Sequence, residues 1–338
     1  MGNPPELTRR PGPAEFTSEL PVAQSKSFDK PIVPAPAFAP RPDGTSSRFA
    51  QARPWLVWMS IPVLGMMLVA LTICSLNNWG FDRDGYWVVQ RDWFFALNSA
   101  FTFFPQRAWA DIAELGSGDV LLLLLSPLLI WYPRSWVAML FAAPVAAILS
   151  AIAKHLAAVP RPAAVLDLQQ FTVIGDVLAA HNSVPSGHSI TIGAAGIAFL
   201  ATRSLTPSCW RQWLLILVVL CIVVLVCLSR VAVGAHWPLD LAIGAAFGWI
   251  AGLCGARMAR CFSKPWRWSR APHSRRALGA ALLCASLILL AVAQGTSYAT
   301  EILWLAVTCG MVTSFWLVAG KADVISPGES REHLKPNP

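Results

Sequence analysis

Three short segments of this 338-residue chain hold side chains suited to binding and transforming a tetrahedral oxyanion. The first runs from Lys154-His155 to Pro160-Arg161-Pro162. The second is Val184-Pro185-Ser186-Gly187-His188-Ser189, and the third runs from Ser229-Arg230 to His236-Trp237-Pro238-Leu239-Asp240. Lys154, Arg161 and Arg230 supply cations for an anion such as phosphate. His188 and His236 supply groups that exchange protons near neutral pH. A Pro-Ser-Gly turn feeding a helix leaves backbone N–H groups facing outward, and Gly187, without a Cβ, lets a ligand approach them. Ser186 or Ser189 can add a hydroxyl. His236 and Asp240 are four apart, which puts them on one face if residues 236–240 are helical, and Pro238 suits a helix's first turn. A carboxylate so placed fixes the imidazole tautomer and frees its other nitrogen as a nucleophile. A single His or Arg near a membrane surface is most often only an interfacial group, the reading given to His155 and His181. The combination is what points to chemistry.

The elements that must position these residues are membrane spans. Hydrophobic residues make up 55% of the chain and charged residues only 13%, against about 25% in a soluble domain. The expected fold class is all-α, a polytopic transmembrane helical bundle. Apolar runs near the roughly 20 residues needed to cross a bilayer predict spans at Trp55 to Leu76, an untidy second ending at Trp131 with Asp119 near its outer end, and Trp136 to Ala153 or Ala158. Further spans are predicted at Gly187 to Ala201, Trp213 to Leu228, Leu239 to Ala256, Ala277 to Ala293 and Ala299 to Ala319. The aromatic stretch Tyr86 to Phe104 reads as a helix lying at the interface. The expected organisation is therefore a disordered Pro-rich cytoplasmic tail (1–50), a six-span core (51–256), a basic cytoplasmic loop (257–276), two additional transmembrane helices (277–320) and a cytoplasmic C-terminal tail (321–338). No apolar core follows the first residues, so no secretory signal is read there, and Glu6 stands where a myristoylation motif wants Ser or Thr.

Charge sets the expected orientation. Lys30, Arg41, Arg48, Arg53, Arg134, Arg203, Arg211 and the run Arg257 to Arg276 fall on one side, which the positive-inside rule makes cytoplasmic. The net charge of +8 thus reflects topology and contact with membrane lipids, and no nucleic-acid partner is expected. All three chemistry-bearing segments then lie at the opposite face. Of the eight cysteines none forms a C-x-x-C pair, and they read as small buried hydrophobes. No fixed-period or inverted repeat is visible, which leaves a transporter built on one without support.

Taken together, the three segments resemble the signature of the type 2 phosphatidic acid phosphatase (PAP2) superfamily, K-x6-R-P, P-S-G-H and S-R-x5-H-x3-D, in its membrane lipid phosphatase branch. The resemblance covers 154–240, and it implies a six-helix core, to which the last two spans are additions. It implies that His236 attacks phosphorus to form a phosphohistidine, Asp240 orients it, and His188 protonates the leaving oxygen and then assists water. It implies that Lys154, Arg161, Arg230, Ser186 and the Gly187 amide hold the phosphoryl oxygens. Cationic side chains would then neutralise the charge. No Asp/Glu cluster with metal-ligand spacing accompanies the motifs, so no metal and no cofactor are expected. The soluble vanadium haloperoxidases share the signature but not the spans.

The expected activity is hydrolysis of a lipid phosphate monoester or pyrophosphate: undecaprenyl pyrophosphate, a glycerolipid phosphate or a lipid A phosphate. The expected setting is a bacterial inner membrane, with the site facing the periplasm and both termini cytoplasmic. Three other readings remain: transfer of the phosphoryl group to a second lipid, a non-catalytic lipid transporter or flippase, and a bis-histidine haem site at His188 and His236. The signature distinguishes neither the lipid nor the oligomeric state.

Overall fold

The computed structural model describes residues 83–203, 210–262, 271–295 and 300–319, together with residues 2, 61, 62, 64, 65 and 68. Residues 1 and 3–50 of the expected tail, nearly all of the expected first span, residues 263–270 of the basic loop and the tail over 321–338 lie outside the described residues. Everything below belongs to the unit formed by residues 51–338.

Among the described residues the regular elements are all helical, with no strand. They are α1 (Arg83–Val88), α2 (Arg91–Ala100), α3 (Gln106–Glu114), α4 (Gly118–Leu124), α5 (Leu128–Trp131), α6 (Pro133–Ala157) and α7 (Pro162–Val165). After a long loop come α8 (Gly187–Ala201), α9 (Trp210–Ala232), α10 (Pro238–Cys261), α11 (Pro272–Gly295) and α12 (Glu301–Val318). α6, α9, α10, α11 and α12 are long and apolar enough to cross a membrane, and α8 is a shorter apolar helix. Their large outward-facing residues, such as Leu214, Leu217, Val224 and Ile288, are exposed hydrophobics that suit lipid contact. The chain is a membrane protein with a polytopic helical fold.

Two expected helices are broken. The aromatic stretch Tyr86 to Phe104 is split at Val89 and Gln90 into α1 and α2 and ends in a 3-10 turn at Phe101–Phe103. The second span is split into α4 and α5 at Leu125 to Pro127. Pro127 has no N–H to continue the ladder. The buried Ser126 hydroxyl turns instead to Thr313 Oγ1 at 3.0 Å and to the Cys309 carbonyl at 3.2 Å. The cysteines also differ from expectation. Cys227 is buried, but Cys221, Cys261 and Cys284 are exposed, because a thiol suits an apolar outer face as well as a core.

α10 is the central element and packs along α8 and α6. The reason is a stripe of glycines. A Cβ at Gly244 would lie 2.8 Å from the Ser186 carbonyl, one at Gly248 2.6 Å from the Ile190 carbonyl, and one at Gly252 2.6 Å from the Ala194 carbonyl. Gly255 makes the same approach to the Ala138 carbonyl of α6. Backbones can meet this closely only where side chains are absent, and in lipid such packing drives helix association. α11 and α12 pair with each other and pack on α4, sharing a core of Leu123, Leu282, Leu289, Leu303 and Ala306. Ser314 donates to the Gly279 carbonyl (2.7 Å), and Asp111 accepts from the backbone N–H of Ile302 at the start of α12 (3.1 Å).

The helix directions sort the charge. Arg134, Arg203, Arg211, Arg257 and Arg260 gather at the end of the bundle where α6 and α9 begin and α8 and α10 finish. There Arg260 donates to the Ala201 carbonyl at 2.9 Å, and Arg203 lies over the Tyr132 ring, 4.1 Å from its centroid. The glycine stripe yields a test. Gly248→Val should destabilise the protein by about 3 kcal/mol or more, since backbone atoms cannot move aside. Gly118→Ala should be neutral, because a Cβ there meets nothing within 4 Å. Thermal unfolding in detergent compares them, and equal midpoints would contradict close packing of α8 and α10.

Candidate active site

At the opposite end of the bundle, α6 and α9 finish while α8 and α10 begin. Each end is shaped by its local sequence. α6 stops at Ala158, whose φ of 46° is left-handed and whose N–H reaches back to the Lys154 carbonyl at 3.1 Å. The chain then reverses, so that Arg161 caps the start of α7. α9 ends in a Schellman motif. Ala235 N–H bonds to the Arg230 carbonyl (3.0 Å) and Gly234 N–H to the Val231 carbonyl (3.0 Å), with Gly234 at φ 76°. A side chain at Gly234 would strike the Thr172 carbonyl. The interval between Arg230 and His236 is therefore one helix terminus plus one residue. α8 starts at Ser186, whose Oγ accepts from Ser189 N–H at 3.5 Å, while Ser186 N–H donates to the Asp240 carbonyl at 3.1 Å. That last bond joins the second segment to the third.

His236 and Asp240 meet, but not as neighbours on one helix face. α10 begins only at Pro238, so His236 precedes the helix. Asp240 sits in the first turn and folds back. Its Oδ2 accepts from the Trp237 backbone N–H at 3.0 Å and lies 3.2 Å from His236 Nδ1. The proximity is a capping geometry. With Nδ1 turned to the carboxylate, Nε2 is left for other partners. Ser183 Oγ also donates to Asp240 Oδ2 (2.5 Å), and the Tyr86 hydroxyl donates to Oδ1 (2.8 Å). His236 is 2% exposed and Asp240 0%. Burial pushes the imidazole down to about 4, with Arg161 and Arg230 adding to the effect and the bond to Asp240 opposing it.

The cations converge on the same place. His188 lies within electrostatic reach of Arg230, His236, Arg161 and Lys154. The Lys154 ammonium sits beside Gly187, 3.8 Å from where a Cβ would be. Arg161 is buried, and its Nε donates to Asn182 Oδ1 at 2.9 Å. Arg230 is buried too, yet among the described residues its Nε has no hydrogen-bond partner. Glu114, at the end of α3, faces Arg230; burial raises its carboxyl above the usual range, Arg230 pulls it down, and Asp119 and Asp111 push it up. His155 and His181 are exposed. No group of three or more His, Cys, Asp or Glu side chains is gathered as a metal site among the described residues.

Beside this cluster a cavity of about 550 Å³ opens between α4, α6 and α8. His188, Gly187 and Ser150 line one end, Leu122 and Ala143 its walls, and Trp136 is also part of the lining. About 20 Å of α6 separates Ser150 from Trp136 at the helical rise. The turn before α4 presses on His188: a Cβ at Gly116 would lie 2.6 Å from His188 Cβ.

The eight residues singled out in the sequence, Lys154, Arg161, Ser186, Gly187, His188, Arg230, His236 and Asp240, thus meet at one end of the bundle. Sequence reasoning missed Tyr86, Gly116, Asn182 and Ser183. Asn182 and Ser183 stand just before the Pro-Ser-Gly-His turn, and their polarity in an otherwise tight loop was an available signal. Tyr86 and Gly116 gave none.

No curated protein matches this chain. A crystal structure of LpxE from Aquifex aeolicus shares 24% identity with it, over 50% of this chain and 95% of that one, with a TM-score of 0.42. A family model, the PAP2 superfamily, matches residues 135–264. That stretch holds all eight residues named above, and over it the chain is similar to the PAP2 superfamily.

Proposed function

We propose that the chain hydrolyses a lipid phosphate monoester or pyrophosphate, without a metal, through a phosphohistidine on His236. The observation that carries this reading is the Asp240–His236 pair set among three cations, with the neighbouring His188 lining an apolar cavity. The match to the superfamily model over 135–264 supports it.

The geometry supports the following reaction. His236 Nδ1–H donates to Asp240 Oδ2, so the Nε2 lone pair attacks phosphorus. The N–P bond forms as the bond from phosphorus to the leaving oxygen breaks. His188 gives that oxygen a proton. Water then attacks the phosphohistidine, His188 takes a proton from it, and the N–P bond breaks to release inorganic phosphate. Lys154, Arg161, Arg230, Ser186 and the Gly187 amide hold the three phosphoryl oxygens, where charge concentrates in phosphoryl transfer. Arg230 Nε, buried without a partner among the described residues, is a donor an oxyanion would satisfy. The cavity beside His188 takes the substrate's aliphatic chain. The basic residues at the other end of the bundle support a cytoplasmic assignment for that end, hence a periplasmic site in a bacterial inner membrane with both termini cytoplasmic. Undecaprenyl pyrophosphate, a glycerolipid phosphate or a lipid A phosphate all fit an anionic head on an apolar chain.

The first test gives detergent-solubilised protein, with a chelator present, a panel of lipid phosphates. Phosphate release that disappears in His236→Ala is expected. Retained release in that variant, or a phosphorylated second lipid in place of free phosphate, would overturn hydrolysis through His236. The second test is the pH profile. A nucleophilic imidazole held near 4 stays unprotonated at higher pH, so the acid limb of kcat/KM should fall near pH 4 and not near the ordinary 6.5. A limb at the ordinary value would contradict a buried His236 as the free-enzyme base. The third probes the cavity. Ala143→Phe should raise KM for a long-chain lipid phosphate about 10-fold. It should leave a short-chain soluble phosphate unaffected, whereas equal effects on both would place the chain elsewhere.

A further inference from the structure

α1 and α2 lie outside the segment that matches the superfamily model, yet they grip the reactive pair. Tyr86 is 2% exposed, and its hydroxyl donates to Asp240 Oδ1 across 154 positions of sequence. The other described donors to this carboxylate, Ser183 Oγ, the Trp237 N–H and His236 Nδ1, all crowd Oδ2. Gln90 extends the grip: its Nε2 donates to the Tyr86 carbonyl (2.7 Å), and its Oε1 accepts from the Leu239 N–H (2.8 Å), one of the first-turn donors of α10. Trp87 stacks on Trp237 with centroids 5.8 Å apart, and Phe94 meets the same indole edge-on at 5.2 Å. Asn98 Nδ2 donates to the carbonyls of Val231 and Ala232, where α9 ends.

We propose that Tyr86 is a positioning residue for the reaction, acting on His236 through Asp240. A carboxylate held through one oxygen alone can turn about its Cβ–Cγ bond. Tyr86 anchors the second oxygen, so Oδ2 stays on His236 Nδ1 and Nε2 stays aimed at phosphorus. The hydroxyl also shares the negative charge of Asp240, which limits how strongly the carboxylate draws a proton onto the imidazole. Burial, and after it the neighbouring Asp240, raises the Tyr86 phenol well above its usual range, so it remains a donor at every working pH. A phenylalanine would fill the same space in the buried cluster that Tyr86 shares with Phe94 and Trp237. The hydroxyl is therefore what separates a positioning role from core packing.

The role rests on the hydrolase reading above, and the test keeps the two apart. Full-length wild type and Tyr86→Phe are compared in detergent on a short-chain lipid phosphate. In Tyr86→Phe, kcat should fall about 10-fold while KM stays within about twofold. The acid limb of kcat/KM should move upward by about half a unit to one unit, because Asp240 without its donor stabilises protonated His236 more. Unchanged kcat with an unmoved limb would overturn the role. So would a fall in kcat with an unmoved limb, which is what loosened packing alone would give. A second readout needs no turnover. The chain has six histidines, so histidine-selective labelling and NMR, with His236→Asn for assignment, follow the His236 titration directly. A midpoint that rises in Tyr86→Phe supports the linkage even if wild type hydrolyses no lipid phosphate, an outcome that would count against the hydrolase reading alone. A midpoint that stays put overturns the linkage whatever the chain hydrolyses.

Discussion

Asp240 has no exposed surface, and a carboxylate cannot be buried without partners that replace its hydration. Its four partners come from three places in the chain: Tyr86 on α1, Ser183 in the loop before α8, and His236 and Trp237 beside α10. The first turn of α10 adds the favourable end of a helix dipole. Satisfying this one group fixes the start of α10 against α8, since the Asp240 carbonyl also accepts from Ser186 N–H. The approach this demands is available only because Gly244, Gly248 and Gly252 face α8. The glycine stripe and the carboxylate are thus two halves of one constraint. The stripe brings the backbones together, and the carboxylate fixes how far along the helices they meet.

The positive charges follow a related logic. Lys154 and Arg230 stand in the last turns of α6 and α9, where the helix dipole favours a cation. That helps hold two charges near one another and near Arg161, but it does not neutralise them. Asp240 is already committed to His236, Ser183 and Tyr86. Glu114 faces Arg230, but burial and its acidic neighbours both oppose its charge. The cluster is left with more positive than negative charge in a poorly hydrated place. An anion with several oxygens corrects that imbalance and supplies an acceptor for Arg230 Nε in the same step.

Much of this architecture was legible in the sequence, for identifiable reasons. The span at Gly187 to Ala201 matches α8 to the residue, because Ser186 caps its start and Arg203 follows its end. The span expected at Trp213 to Leu228 runs further, from Trp210 to Ala232. Arg211 and Arg230 are polar enough to end an apolar run but not to end a helix. The break at Pro127 was hidden inside a continuous apolar stretch, and the partners that stabilise it lie on α12, nearly two hundred residues away. The pairing of His236 with Asp240 was legible through the wrong geometry: four-residue spacing suggested a shared helix face, while the real link is a side chain folding back over a helix start. Tyr86 and Gly116 were not legible at all, because each matters only through a tertiary contact, to Asp240 and to His188.

The parts of the site therefore divide by origin. Residues 135–264 hold the groups suited to chemistry on a phosphate, but they do not enclose the space beside it. One wall of the cavity is α4, which precedes that segment, and α4 is held from behind by α11 and α12, which follow it. The Asp111 bond to the first turn of α12 and the Ser126–Thr313 bond tie this wall at two levels. A head-group site built only from cations and imidazoles cannot tell one phosphate monoester from another, since each presents the same three terminal oxygens. Discrimination has to come from the surfaces that meet the rest of the molecule. In this chain those surfaces are set as much by the helices outside the superfamily segment as by those within it. The last two described helices thus acquire a physical role that the motifs could not suggest: they hold α4, and with it one wall of the cavity beside His188.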